Sequence, residues 1–200
     1  MLTIALSIAA SALLMSCGRD SGSEKKFNST LLINPQFGHS LHMRDHHGQW
    51  RTLADYRGKL VLLFFGYTQC PDICPTTMAR AKHALRILGE DANRVQVLFV
   101  TLDPQHDTRE LLSQYIPSFH DDFIGLYASP AETLAIANSF KVYYQRVAGK
   151  SAQSYVIDHS VFSYVYDSQG KLTLLVNHDL TAKELAEDLR TLLQKKKADS

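Results

Sequence analysis

The apolar run KLVLLFFGY (59–67) gives way at once to TQCPDICP and then to a helical pattern. This junction constrains the fold more than any other stretch. A run without polar and apolar alternation suits a central strand buried on both faces, so the sheet it belongs to must be covered on both sides. From Pro75 to Leu88 the apolar positions Met78, Ala81, Leu85 and Leu88 recur at intervals of three and four, the period of a helix. A second apolar run, RVQVLFVTLD (94–103), stops at Asp103 and Pro104. The three pieces make a βαβ unit.

The remaining elements follow from period and punctuation. Residues 39–59 alternate weakly around His47 and Gly48, which predicts a hairpin. Asp107 or Thr108 caps a helix over TRELLSQYI. A short strand is expected at 123–128. Ser129, Pro130 and Glu132 then form a helix-start signature. Residues 154–167 and 171–180 read as two strands joined by the turn 167–170, and Thr181 caps a final helix over 181–197. The order is β-hairpin, β, α, β, α, β, α, β, β, α. It predicts an α/β fold, a thioredoxin-like sandwich with an added N-terminal β-hairpin, and it sets the cysteine pair between the first buried strand and its helix.

The chain has 200 residues, 45% hydrophobic and 20% charged, enough for one domain with a proper core. A net charge of +1 leaves no electrostatic footprint for nucleic acid. Three cysteines, Cys17, Cys70 and Cys74, are too few for a disulfide scaffold. Residues 2–15 are uncharged and almost wholly apolar, shorter than the ~20 residues a spanning helix needs and suited to a signal peptide at 1–16. Leu14, Met15, Ser16 and Cys17 resemble a bacterial lipobox, in which the cysteine is lipidated and becomes the mature N-terminus. A cleaved soluble form and an uncleaved anchor are the alternatives. All three put the domain outside the cytoplasm, where disulfides persist. Residues 17–28, with Cys17 at their head, are polar and Gly/Ser-rich and read as a tether; the domain proper is 29–200.

Cys70 is expected just past a strand end and Cys74 in or near the first helical turn. The helix N-terminus favours thiolate over thiol. Three residues separate the cysteines, where redox proteins of this fold use two. Residues four apart on a helix have β-carbons ~5–6 Å apart, long for a disulfide, which wants ~3.5–4.5 Å, and comfortable for two sulfurs on one metal. Bending at Pro71 still allows a disulfide, so both states stay open. Two thiolates select soft metals, Cu(I) first and zinc second, although structural zinc wants four ligands. The candidate third ligand is His159 in VIDHS, with Asp158 and Ser160 placed to orient its ring. The alternative is a satisfied histidine at a strand edge.

GYTQCPDICP, VTLDPQHDT and YVIDHS resemble three signature blocks of the Sco/SenC family, and FHDDFIGLYASPAETLAIANSFKVYY resembles the segment between the second and third blocks. The likeness spans residues 33–195. It implies a thioredoxin-like fold with an added hairpin in a membrane-tethered copper chaperone for cytochrome c oxidase assembly. It also implies copper, Cu(I) or Cu(II), bound by Cys70, Cys74 and His159. The copper or reducing equivalents would pass to the dinuclear copper site of oxidase subunit II. The expectation is therefore a metallochaperone rather than an enzyme, a monomer in the cell envelope held by lipid on Cys17 and facing the periplasm or extracytoplasmic space. The competing reading is a thiol–disulfide reductase that uses the same cysteines. The chain departs from the family pattern at His106, where members often carry Arg; that position is not a ligand.

Other residues have plainer readings. Asp72 is expected to cap the helix, and Asp103, Asp107 and Thr108 to end one element and start the next, with a role in shaping the copper loop as the alternative. His39, His42, His46 and His47 read as a solvated polar loop or as an auxiliary metal cluster. Phe64, Phe65, Phe162 and Tyr164 are expected in the core.

Overall fold

The computed structural model describes residues 27–149 and 154–198. The expected signal peptide, Cys17 and nearly all of the tether lie outside the described residues. The elements are β1 (Thr30–Leu31), β2 (His42–Asp45), β3 (Trp50–Thr52), β4 (Leu60–Gly66), α1 (Ile73–Leu88), β5 (Val95–Thr101), α2 (Arg109–Tyr115), β6 (Ile124–Tyr127), α3 (Pro130–Ser139), β7 (Tyr144–Ala148), β8 (Tyr155–His159), β9 (Ser163–Tyr166), β10 (Leu172–Val176) and α4 (Ala182–Ala198). Eight strands form one sheet in the order β1-β10-β9-β4-β5-β6-β2-β3, and β7 pairs with β8 in a separate ribbon. Strands β4, β5 and β6 run parallel, and β4 pairs antiparallel with β9.

All seven residues of β4 are buried, as an unbroken apolar run requires. Successive side chains point to opposite faces and so feed two cores. Leu60, Leu62 and Phe64 pack with Met78, Ala81 and Leu85 of α1 and with Leu189 of α4. Val61, Leu63 and Phe65 pack on the other side with Met43, Phe140, Ile157 and Tyr164. This sandwich fixes the C-terminal end of β4 and the start of α1 against one another.

The starts of α2, α3 and α4 are local and match their sequence signals. Thr108, rather than Asp107, caps α2 by accepting from the Leu111 N–H at 3.2 Å. Ser129 and Glu132 close a reciprocal capping box at α3, with Pro130 in its first turn. Thr181 and Glu184 bond in the same reciprocal way at the start of α4.

The expected single strand over 154–167 is instead two. Strand β8 leaves the sheet to pair with β7, and β9 returns to lie beside β4. Between them the Ser160 N–H donates to the Tyr143 carbonyl at 2.9 Å and the Ser160 hydroxyl accepts from the Tyr143 N–H at 3.1 Å. Only Ile157 of β8 is buried, so this strand cannot sit inside a two-faced sheet. Phe162, at the break, is 39% exposed and not a core residue, whereas Phe64, Phe65 and Tyr164 are buried.

The four histidines do not form a metal cluster. His42 stacks on Trp50 with ring centroids 4.3 Å apart, and His39 Nε2 meets the Pro35 carbonyl at 2.8 Å. His46 is buried, not solvated. Its Nδ1 accepts from the Gly125 N–H at 3.0 Å, and the ring of His47 lies against it. Each ring is held by its own local contact. Among the described residues the groups whose ligand atoms converge are Cys70, Cys74 and His159, and Asp103, His106 and Asp107.

Candidate metal centre

Strand β4 ends at Gly66, the chain turns through 67–72, and α1 begins at Ile73. Gly66 matters at this turn. A β-carbon on it would lie 2.7 Å from Cys74 Sγ and 3.0 Å from Phe99 Cε2, so its missing side chain is the space the sulfur occupies. Cys74, in the first turn of α1, is 1% exposed, while Cys70 in the loop is half-buried, and both are free thiols. The Cys74 N–H donates to Cys70 Sγ at 3.4 Å, as an open helix N-terminus permits. Asp72 occupies the cap position, but its side chain makes no capping bond; it accepts from the Thr76 hydroxyl at 3.3 Å.

His159 ends β8 and brings Nε2 to 3.9 Å from Cys74 Sγ, across 85 residues of sequence. The ligand atoms of Cys70, Cys74 and His159 all lie within 4.8 Å of one another. His159 Nδ1 faces the Ser160 carbonyl at 2.8 Å. A carbonyl only accepts, so Nδ1 carries a proton, and Nε2 is the nitrogen that faces the sulfurs. The orienting group expected at 158 or 160 is thus the Ser160 backbone; Asp158 is exposed. The buried Tyr67 ring meets the imidazole edge-on at 6.1 Å, and the Ile157 N–H faces the Tyr67 hydroxyl.

The two thiols differ in acidity. The Cys74 thiol donating to Cys70 draws Cys70 down to about 4 against opposing burial, with help from His159 and from the N–H groups of Cys74 and Asp72. The same bond, with burial and the Cys70 charge, pushes Cys74 well above the ordinary thiol range. The first proton therefore leaves Cys70, and the metal-free pair is one thiolate beside one buried thiol.

The loop after β5 does more than end one element and start the next. Asp107 is 1% exposed and accepts from the Thr68 N–H at 3.0 Å, the Thr68 hydroxyl at 2.6 Å and the Thr101 hydroxyl at 2.6 Å. It ties down the cysteine loop two residues before Cys70. Asp103 is fully buried and accepts from Arg146 and from the Tyr155 hydroxyl. Two acids directly after a buried strand were the available signal: a buried carboxylate needs partners, and polar groups near the end of β4 are where they lie.

Two sulfurs and one imidazole suit a soft or borderline ion and fall one ligand short of a structural zinc site. The same thiolate and thiol are equipped for exchange with a disulfide.

Comparison with known proteins assigns the family. The SCO1/SenC family model matches residues 31–194. A SCO2-like protein of Rickettsia typhi is 37% identical over 158 residues, 78% of each chain. The copper-bound structure of ScoI from Bradyrhizobium japonicum is 35% identical with a TM-score of 0.71, over 78% of this chain and 99% of that one. The apo Sco1 solution structure from Thermus thermophilus is also 35% identical, with a TM-score of 0.74, over 86% and 99% of the two chains.

Proposed function

The chain belongs to the SCO1/SenC family, and from that membership we propose that it is a copper metallochaperone supporting assembly of the dinuclear copper site in subunit II of cytochrome c oxidase. Copper is the cargo, as Cu(I) or Cu(II), and Cys70, Cys74 and His159 are its ligands. The observation that carries this reading is the convergence of these three donors within 4.8 Å, one of them delivered by a different part of the fold. The copper-bound relative at 35% identity supports the choice of metal.

Each donor has a separate task. Cys70, already a thiolate and half-exposed, makes first contact with an incoming ion. Cys74 loses its proton as the metal takes over the role of its hydrogen-bond partner. His159 offers Nε2 while its Nδ1 is held by the Ser160 carbonyl. A site with two partly exposed ligands, Cys70 and His159, leaves room for a recipient's ligand to enter before the last protein ligand leaves. We place the domain, residues 29–200, outside the cytoplasm as a monomer, tethered through residues 17–28 by lipid on Cys17. Among the described residues no helix is long and apolar enough to cross a membrane.

The acidity of Cys70 beside a buried thiol favours a second reading, a reductase that keeps the copper-ligand cysteines of the oxidase reduced. Copper stoichiometry and affinity of the wild type and of Cys70→Ala, Cys74→Ala and His159→Ala test the first reading. Each substitution should weaken binding, and a His159→Ala protein that holds Cu(II) as tightly as wild type would remove His159 from the site. Oxidase activity in a deletion strain separates the two roles: rescue by added copper alone favours delivery, and no rescue favours reduction.

A further inference from the structure

His159 reaches the cysteines from a ribbon that lies outside the main sheet. Strand β8 pairs with β7 and contributes Tyr155, Ile157 and His159 to one face, because alternate residues of a strand point the same way. Ile157 enters the core and His159 meets Cys74. Tyr155, at the other end of this face, gives its hydroxyl to Asp103, and Arg146 of β7 binds the same carboxylate. The Arg146 guanidinium also lies over the Tyr155 ring, 4.5 Å from its centroid. One buried carboxylate thus grips both strands of the ribbon.

Asp103 is itself buried and bonded through its backbone. Its N–H donates to the Thr101 hydroxyl at 2.9 Å, and its carbonyl accepts from the His106 N–H at 3.0 Å and the Asp107 N–H at 2.8 Å. That turn also presents Asp107, which holds Thr68 of the cysteine loop. Residues 103–107 therefore bind the cysteine half of the site with one carboxylate and the histidine half with the other. Only the carboxylate of this ion pair is buried, since the Arg146 side chain is 44% exposed, so the pair is poor evidence of stability. What it can do is fix one arrangement of two segments that are far apart in sequence.

We propose that Asp103 is a positioning residue for His159: through Arg146 and Tyr155 it holds the β7–β8 ribbon at the distance that keeps Nε2 on the copper shared by the two sulfurs. This rests on the reading of His159 as the third ligand. Without the grip, the ribbon keeps its anchor at Ile157 and Tyr67 but pivots there, and the imidazole end drifts from the sulfurs.

The test uses the full chain with Asp103→Asn and with Tyr155→Phe, which removes one of the two grips and serves if the first variant does not fold. In the metal-free protein, amide hydrogen exchange in β8 should quicken while that in β4 is unchanged. Cu(II) affinity should fall about tenfold, the scale typical of residues that orient metal ligands. The nitrogen hyperfine signal of Cu(II) should weaken toward that of His159→Ala. In the His159→Ala background neither substitution should change Cu(II) affinity further. Wild-type Cu(II) affinity in Asp103→Asn and Tyr155→Phe, or an equal loss with and without His159, overturns the proposal. If His159→Ala weakens Cu(II) and the Asp103 variant does not, the proposal falls alone. If His159→Ala binds Cu(II) like wild type, the three-ligand reading falls first and takes the proposal with it.

Discussion

Replacing Gly66 with alanine tests how tightly the end of β4 is fitted to the site. The added methyl would stand 2.7 Å from Cys74 Sγ and 3.0 Å from Phe99 Cε2. Unstrained non-bonded contacts sit near ~3.5–4.0 Å, so something must give by about 1 Å. Gly66 is not in the left-handed region, so contact alone opposes the substitution. Strand β4 has little freedom to yield, being paired on both sides by β5 and β9 and buried along its length. The sulfur and the first turn of α1 are the parts that move. Overpacking of this kind costs about 1–3 kcal/mol, which for a domain of this size lowers the melting temperature by roughly 2–12 °C. A ligand displaced by about 1 Å far exceeds the ~0.2 Å tolerance of a metal site. Cu(I) affinity, read by competition with a chelator, should therefore fall at least about tenfold. The control is the same substitution in a Cys74→Ala protein. The sulfur is then gone, the remaining contact to the β-carbon of residue 74 is 3.5 Å, and only Phe99 still crowds the methyl. The stability loss should drop by about half or more, since neighbouring substitutions that share a contact do not add. An equal loss in both backgrounds would refute the claim that Gly66 makes room for the sulfur.

Two further outcomes concern protons. Cys70 should react with iodoacetamide at a nearly constant rate from about pH 6 to pH 8, where a free thiol of pKa ~8.5 would speed up about a hundredfold. Cys74 should stay unlabelled until the protein is unfolded, and peptide mass spectrometry distinguishes the two. Asp45, the last residue of β2, should govern part of the acid limb of stability. Burial alone would raise its pKa, but the Arg51 side chain and the N–H groups of Gln49 and His47 outweigh that and hold it below the ordinary carboxylate value. A depressed folded pKa contributes stability that is present above the unfolded value of ~3.9 and lost as pH falls through the folded one. Urea midpoints should drop below about pH 4 in the wild type and fall less steeply in Asp45→Asn, which starts lower at neutral pH; parallel curves would show that Asp45 does not titrate on unfolding.

Local physics made much of the architecture readable. An unbroken apolar run names a two-faced strand, a three-and-four spacing names the helix that covers it, and Ser129, Thr108 and Thr181 mark helix starts, because each effect acts within a few residues of its cause. The cysteine pair was legible for the same reason, since both sulfurs sit on one strand-to-helix junction. His159 was legible as a candidate through its block, but its approach to Cys74 was not. That approach depends on β8 leaving the sheet, and VIDHS continues into the apolar stretch of β9 with no local stop signal. Asp103 and Asp107 read as punctuation because their partners, Arg146, Tyr155 and Thr68, are distant in sequence. His46 read as one member of a polar loop, although its neighbour in space is Gly125.

What the sequence by itself determined is the inventory and the frame: two sulfurs at the mouth of a buried strand, set three residues apart. What the tertiary structure decided is that His159 lies beside the two sulfurs, that Cys70 is the more acidic of the two thiols, and that Asp103 and Asp107 bond to segments on either side of them. Those depend on distances between segments far apart in the chain, and coulombic and hydrogen-bond energies depend on distance in space rather than on position in sequence.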